Sequence, residues 1–170
     1  MYYLFISGYN INYNFNLDFM VSMEEKNELI QGLISIIDEK YILTAEWSIE
    51  PYCKGWRYGE GRAIAVAKPG SLIEIWMVLQ YCLDNNIVVI MQAANTGLTG
   101  GSTPYGSDYD RSILIINTMR VRDIHIINDG KQIIGFSGST LFELENKLDS
   151  FDREPHSVIG SSCIGASIVG

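Results

Sequence analysis

The stretch QAANTGLTGGSTPYGSDYDR, residues 92–111, decides the fold of this chain. It directly follows the apolar run Ile87 to Met91, which itself follows an amphipathic helical pattern opened by a capping signal. Small residues let the backbone approach a ligand closely, and glycine takes positive φ without steric cost. Successive backbone N–H groups in such a loop can converge on an anion such as a diphosphate. The stretch contains no GK[ST] and does not read G-x-G-x-x-G, so it is neither a P-loop nor the dinucleotide fingerprint. Taken alone, a loop of this composition is an ordinary surface turn. Its neighbours on either side single it out.

Upstream, Ala63 to Ala67 reads as a strand stopped by Lys68-Pro69-Gly70, since proline cannot donate to a ladder. Ser71 and Glu74 then form an S-x-x-E capping box. The helix it opens is expected to run to about Asp84, with Leu72, Ile75, Trp76, Leu79 and Leu83 on one face. Asn85-Asn86 ends it, and Ile87 to Met91 supplies a second strand. Strand, helix and strand at this spacing make a βαβ unit whose strands lie parallel. The small-residue loop therefore leaves the carboxyl end of a parallel strand, where ligands of open α/β sheets bind. Downstream, Ser112 to Asn117, Val121 to Ile127 and Lys131 to Ser137 are β-rich runs, with Asn128-Asp129-Gly130 as a hairpin signal. Thr140 and Glu143 repeat the capping box before a short helix carrying Leu141, Leu144 and Leu148 on one face. A second small-residue stretch, Ser157 to Gly170, closes the sequence.

Toward the amino end, Leu29, Ile30, Leu33, Ile34 and Ile37 recur at helical spacing within Glu24 to Asp38. Tyr41 to Gly61 reads as a connector in which Trp47, Cys53 and Trp56 are packing residues. Residues 1–22 differ in character. Tyr, Phe, Ile and Asn fill their first part, and alternating Asn at positions 10 to 16 would suit an edge strand. No basic n-region or small-residue cleavage site marks a secretory signal. These are residue types that AT-rich codons encode, so 1–22 is expected to be a non-native or disordered extension, with Met20 or Met23 as the start and 23–170 as the domain.

A chain of 170 residues forms one domain able to bury a sizeable core, and a 47% hydrophobic content is globular. No stretch reaches the apolar length of a membrane span. A net charge of −8 argues against nucleic acid as a partner, because phosphate neutralisation needs clustered Lys and Arg. Cys53, Cys82 and Cys163 are odd in number and include no C-x-x-C, so neither a disulfide framework nor a metal site is indicated. A reducing cytosol is the simplest setting.

The wording of three motifs carries a resemblance. N-T-G-L-T-G-G (residues 95–101) is similar to the diphosphate loop of flavin enzymes related to vanillyl-alcohol oxidase and p-cresol methylhydroxylase. Together with KPGSLIEIW (68–76) and REPHSVIGSSCIGASIVG (153–170), it resembles the respiratory, quinone-linked D-lactate dehydrogenases of bacteria over roughly residues 24–170. YCKGWRYGEG (52–61) likewise resembles the segment before that family's first strand. The resemblance implies an α+β FAD-binding fold of the PCMH type. Its βαβ subdomain spans about 63–118, a second mixed-sheet subdomain begins by Val121, and the fold is truncated at its carboxyl end. It implies FAD as cofactor, held by Ala93, Ala94, Asn95, Thr96, Gly97, Gly101 and Ser102 from the first loop and by Gly160 and Ser167 from the second. The implied activity is oxidation of D-lactate to pyruvate with electrons passed to quinone, in a parent bound peripherally to the cytoplasmic side of the inner membrane through segments not present here. The chain by itself is then expected to be soluble and inactive. A non-catalytic remnant of a split or frameshifted gene, or the FAD domain of a related 2-hydroxy-acid dehydrogenase, are the alternatives.

Other polar groups suggest less. His125 alternates with isoleucines on an expected strand and reads as structural or exposed, while His156 sits at the entry to the second loop. Asp108, Asp110 and Arg111 read as a local ion-pair and turn network. No catalytic residue and no metal-ligand set can be named.

Overall fold

Strand β4, Ile113–Asn117, is an unbroken apolar run up to its final residue, and every one of its residues is buried. Continuous apolar strands of this kind belong to parallel sheets covered on both faces. In the computed structural model, which describes residues 13–106, 109–155 and 165–168 with side chains from Met23 onward, β4 lies at the heart of a four-stranded sheet. The sheet order is β1-β2-β4-β3, with β1 at Ile42–Leu43, β2 at Ala65–Ala67 and β3 at Val88–Gln92. β2 and β3 both run parallel to β4, which is inserted between them, and β1 pairs antiparallel with β2 at the edge.

One face of this sheet presents Ala65, Ala67, Leu114 and Ile116 to two helices, α1 (Tyr13–Ile34) and α3 (Leu72–Asp84). Val66 and Ile115 point the other way, onto Ile49 and Cys53, which follow from a one-turn helix α2 (Glu46–Ile49) and the 3-10 turn after it. Helices α1 and α3 meet closely at Gly32, where a Cβ would fall 2.1 Å from the Tyr81 hydroxyl. That hydroxyl donates to the Leu29 carbonyl at 3.1 Å.

Helix α3 begins as its capping signal implied. Ser71 Oγ accepts from Glu74 N at 3.1 Å, while the Glu74 carboxylate accepts from Gly70 N rather than from Ser71. Its buried face differs from the expected one. Val78 and Cys82 are fully buried and Leu79 and Tyr81 pack beside them, whereas Leu72, Trp76 and Leu83 are exposed. The helix is apolar on both sides, so periodicity does not choose a face. The small Val78 and Cys82 side chains let it settle onto the alanines of β2. Burial pushes the Cys82 thiol up to about 11 and raises that of Cys53, so neither is a thiolate at neutral pH.

The expectation that Trp47 and Trp56 pack inside is corrected: they are 80% and 75% exposed, and only Cys53 of that trio is buried. The helix placed at 24–38 also begins earlier, at Tyr13, and ends at Ile34 with a tightened turn to Ile37. Residues 1–12 lie outside the described residues. Among the described side chains of α1, from Met23 onward, the first fully buried one is Leu33, with Leu29 and Ile30 packed alongside. Removing residues 1–19 is therefore expected to leave the melting temperature unchanged and to raise soluble yield. A lower Tm in the shortened chain would make the segment part of the fold.

After β4 the chain enters a second, two-stranded sheet of β5 (Ile124–Ile127) and β6 (Gln132–Gly135), antiparallel and joined through Asn128, Asp129 and Gly130. All three turn residues have positive φ, 53°, 52° and 77°, the conformation that Asn, Asp and Gly tolerate best. Helix α4 (Leu141–Asp149) carries a complete reciprocal capping box between Thr140 and Glu143 and buries Leu144 and Leu148 against Ile124. Among the described residues no helix is long and apolar enough to cross a membrane.

Candidate functional site

Each parallel strand ends in a polar residue at its carboxyl end: Lys68 follows β2, Gln92 closes β3 and Asn117 closes β4. Gln92 and Asn117 are nearly inaccessible, 2% and 3% exposed, and both carboxamides are fully used. Gln92 Nε2 donates to the Tyr52 carbonyl at 2.9 Å and to the Ser102 carbonyl at 2.8 Å. Its Oε1 accepts from Asn117 Nδ2 at 3.2 Å, and the same Asn117 amide donates to the Ala93 carbonyl at 3.0 Å. Asn117 Oδ1 in turn accepts from Met119 N at 3.2 Å. Two buried amides thus tie the root of the small-residue loop, its far end and the connector into one unit. Buried polar groups satisfied this completely rigidify what they join.

Within the loop, Asn95 has φ of 54°, and its side chain is committed internally. Asn95 Nδ2 donates to the Lys54 carbonyl at 2.9 Å, and its Oδ1 accepts from Ser102 Oγ at 2.8 Å. By contrast, the backbone N–H groups from Ala94 to Ser102 donate to no other described residue. A run of unpaired amides is what an anion-binding concavity requires. The glycines fall into two kinds. Gly100, with φ of 76°, and Gly59 are needed by the fold: a Cβ on Gly59 would lie 2.0 Å from Thr103 Oγ1. Gly97 has nothing within 4 Å of a built Cβ, and Gly101 has only Thr99 Oγ1 at 4.0 Å. Protein packing does not require glycine at those two positions, which are exposed and open.

The loop opens onto a cavity of about 620 Å³, within the range of small-molecule sites. Ala93, Ala94 and Asn95 line it on one side, and Gly165 from the second small-residue stretch reaches it from another. Among the described residues its lining includes Lys54 and Lys68 and no carboxylate, in a chain of 20 acidic and 12 basic residues. Lys68 Nζ donates to the Tyr52 hydroxyl at 3.2 Å, and no described carboxylate pairs with it. A larger hollow of about 860 Å³ lies between β6 and α4, but Asp149, Asp152, Glu154, Lys131 and Arg153 mix their charges there. The chemistry favours the smaller cavity.

The structure therefore brings Ala93, Ala94 and Asn95 to the cavity, with Thr96, Gly97, Gly101 and Ser102 continuing the same loop. Ser167 sits two residues past Gly165, its backbone bridged to Thr140 ahead of α4. Gly160 and His156 lie outside the described residues. His125 is exposed, 3.4 Å from Asp123, and Asp110 pairs with Arg111 at 3.0 Å, which holds its carboxyl below the usual range. Sequence reasoning missed Gln92, Asn117 and Lys68. Their signal was available as one polar residue ending each apolar strand.

No protein-family model matches the chain. It is 54% identical over 143 residues to the quinone-dependent D-lactate dehydrogenase of Haemophilus influenzae, a match covering 84% of this chain and 25% of that protein. To the Escherichia coli protein of the same name it is 47% identical over 146 residues, 86% of this chain and 26% of that one. By sequence, the chain is a relative of the quinone-dependent D-lactate dehydrogenases. It spans about a quarter of the length of the curated relatives it matches. Likeness to the bovine mitochondrial D-2-hydroxyglutarate dehydrogenase is weaker, 31% over 77 residues, covering 45% of this chain and 14% of that protein. In three dimensions it resembles p-cresol methylhydroxylase, at TM-score 0.62 and 15% identity over 76% of this chain and 25% of that one. The 4-ethylphenol oxidase of Gulosibacter chungangensis gives TM-score 0.63 and 18% identity over 75% of this chain and 25% of that one. The fold is that of the PCMH-type flavoprotein domain, as the loop's wording implied.

Proposed function

We propose that this chain is the FAD-binding portion of a flavin-dependent dehydrogenase that oxidises D-lactate to pyruvate and passes the electrons to quinone. One observation carries the reading: a loop whose amides from Ala94 to Ser102 donate to no other described residue begins, at Ala94 and Asn95, on a cavity whose described lining holds two lysines and no carboxylate, in a chain 54% identical to a D-lactate dehydrogenase. The greater identity to D-lactate dehydrogenases than to the 2-hydroxyglutarate enzyme favours lactate as the substrate.

The residues fit the cofactor. Amides of Ala94 to Gly101 would hold the diphosphate, Gly97 and Gly101 leaving room for it, while Lys68 balances its charge. Ser167 and Gly160 would close the site from the second loop. When bound, FAD would supply the two-electron redox chemistry that no side chain of this protein can perform. The chain's own part is to fix the cofactor's position and exclude water from its phosphates, through the loop that Gln92 and Asn117 hold. Handling of the hydroxy acid and of quinone, and peripheral attachment to the inner membrane, would belong to sequence beyond these 170 residues.

Two measurements test this. Equilibrium dialysis should show FAD binding to the purified chain, and an absence of binding would remove the cofactor assignment. The same preparation, given FAD, D-lactate and an artificial acceptor, should reduce no dye. Lactate-dependent reduction above a no-protein control would place the substrate site within this chain.

A further inference from the structure

The connector between α2 and β2 turns back on itself at Gly55 to Gly59, with Gly55 N donating to the Gly59 carbonyl at 2.7 Å. Gly59 has φ of 90°, and a Cβ on Gly55 would meet the Tyr58 carbonyl at 1.9 Å, so the turn depends on both glycines. Its base is fastened to the small-residue loop. Lys54 O accepts from Asn95, Gly106 N donates to the Glu60 carbonyl at 2.9 Å, and Gly61 bridges Gly106. The turn and the loop are one rigid assembly, and the turn's tip holds Trp56.

Trp56 is 75% exposed, yet it lines the cavity beside Ala93, Ala94 and Asn95. Trp47 and Trp76 are also exposed, but neither lines this cavity. A tryptophan offers the largest apolar surface of any side chain, and a rigid turn holding it in water at the mouth of a cavity is stabilised once that ring is covered. The Tyr52 ring lines the same cavity, with the Lys68 ammonium 5.7 Å from its centroid.

We infer that the Trp56 indole is a stacking platform for a planar ring of the dinucleotide whose diphosphate the adjoining loop holds, which rests on the cofactor reading above. Base-on-aromatic stacking is sequence-tolerant and depends only on a π-face, so Phe can replace Trp where Ala cannot.

The chain carries three tryptophans, and Trp47→Phe with Trp76→Phe leaves Trp56 as the sole emitter. Titrating that protein with FAD should quench its emission. Trp56→Ala should weaken FAD binding by about tenfold or more, and Trp56→Phe should stay within about threefold of the parent. Because Trp56 is exposed, circular dichroism should be unchanged in both. Parallel titrations with FMN and ADP identify the ring: a loss confined to FMN assigns the flavin, and one confined to ADP the adenine. Trp56→Ala binding FAD as tightly as the parent would overturn the stacking role and leave the cofactor reading intact. A parent chain that binds none of the three ligands would overturn both.

Discussion

In Gly97→Asp and Gly101→Asp, FAD affinity is expected to fall by about a thousandfold or more while the circular dichroism spectrum stays that of the parent. Both halves of this expectation follow from the space around the two glycines. A Cβ at Gly97 meets nothing within 4 Å, and at Gly101 only Thr99 Oγ1 at 4.0 Å, so neither substitution disturbs the packed protein. Neither glycine has the left-handed φ that would strain a side chain. The added carboxylate would instead face the diphosphate. An unpaired like charge in a partly desolvated site costs several kcal/mol, and each ~1.4 kcal/mol is tenfold in affinity. Gly100→Asp makes the contrast, since φ of 76° and the nearby Tyr58 carbonyl predict loss of the loop's structure itself. Equilibrium dialysis beside thermal melts separates the two outcomes. Full FAD binding by the Gly97 and Gly101 variants would reduce this loop to a surface turn, and the cofactor assignment would go with it.

The different behaviour of neighbouring glycines shows where sequence reading stops. The words N-T-G-L-T-G-G announce a small-residue loop after a strand, and the capping signals at Ser71 and Thr140 place two helix starts to the residue. These are local physics, written in a few adjacent side chains. Strand order is not local. That β4 would insert between β2 and β3 depends on burying four consecutive apolar residues and a terminal Asn on both faces, which no stretch of sequence states by itself. The face of α3 expected from Leu72, Trp76 and Leu83 is the wrong one for a related reason: with apolar residues on both sides, only the shape of the sheet beneath it selects Val78 and Cys82. Gln92 and Asn117 were legible in principle, as polar ends of apolar strands. Their mutual hydrogen bond joins residues 25 apart, and it exists only once the parallel register of β3 and β4 is set.

That register makes Gln92→Glu the most damaging single change expected for stability, although it replaces one side-chain nitrogen by oxygen. Nε2 now donates to two carbonyls, of Tyr52 and Ser102, at 2.9 and 2.8 Å. A carboxylate there can still accept from Asn117, but it sets negative oxygen against two carbonyl oxygens and leaves both without a donor. Stranding a buried polar group costs about 1–3 kcal/mol, more when charge is involved, so a loss of roughly 2–4 kcal/mol is expected. For a domain of this size that lowers Tm by roughly 5–15 °C. The pH dependence identifies the cause. Burial among carbonyls raises the introduced carboxyl's folded pKa above its unfolded value, near ~4.3. The penalty therefore eases as pH falls through that raised value, because the protonated acid regains one donor. The Tm gap between parent and variant should narrow from pH 8 to pH 5, whereas Gln92→Leu, which loses the donors without adding charge, should show a smaller gap that does not change. A Gln92→Glu protein that melts with the parent at pH 8 would mean that Gln92 does not hold the loop. The shape of the loop's backbone would then have to come from the glycines and Asn95 alone.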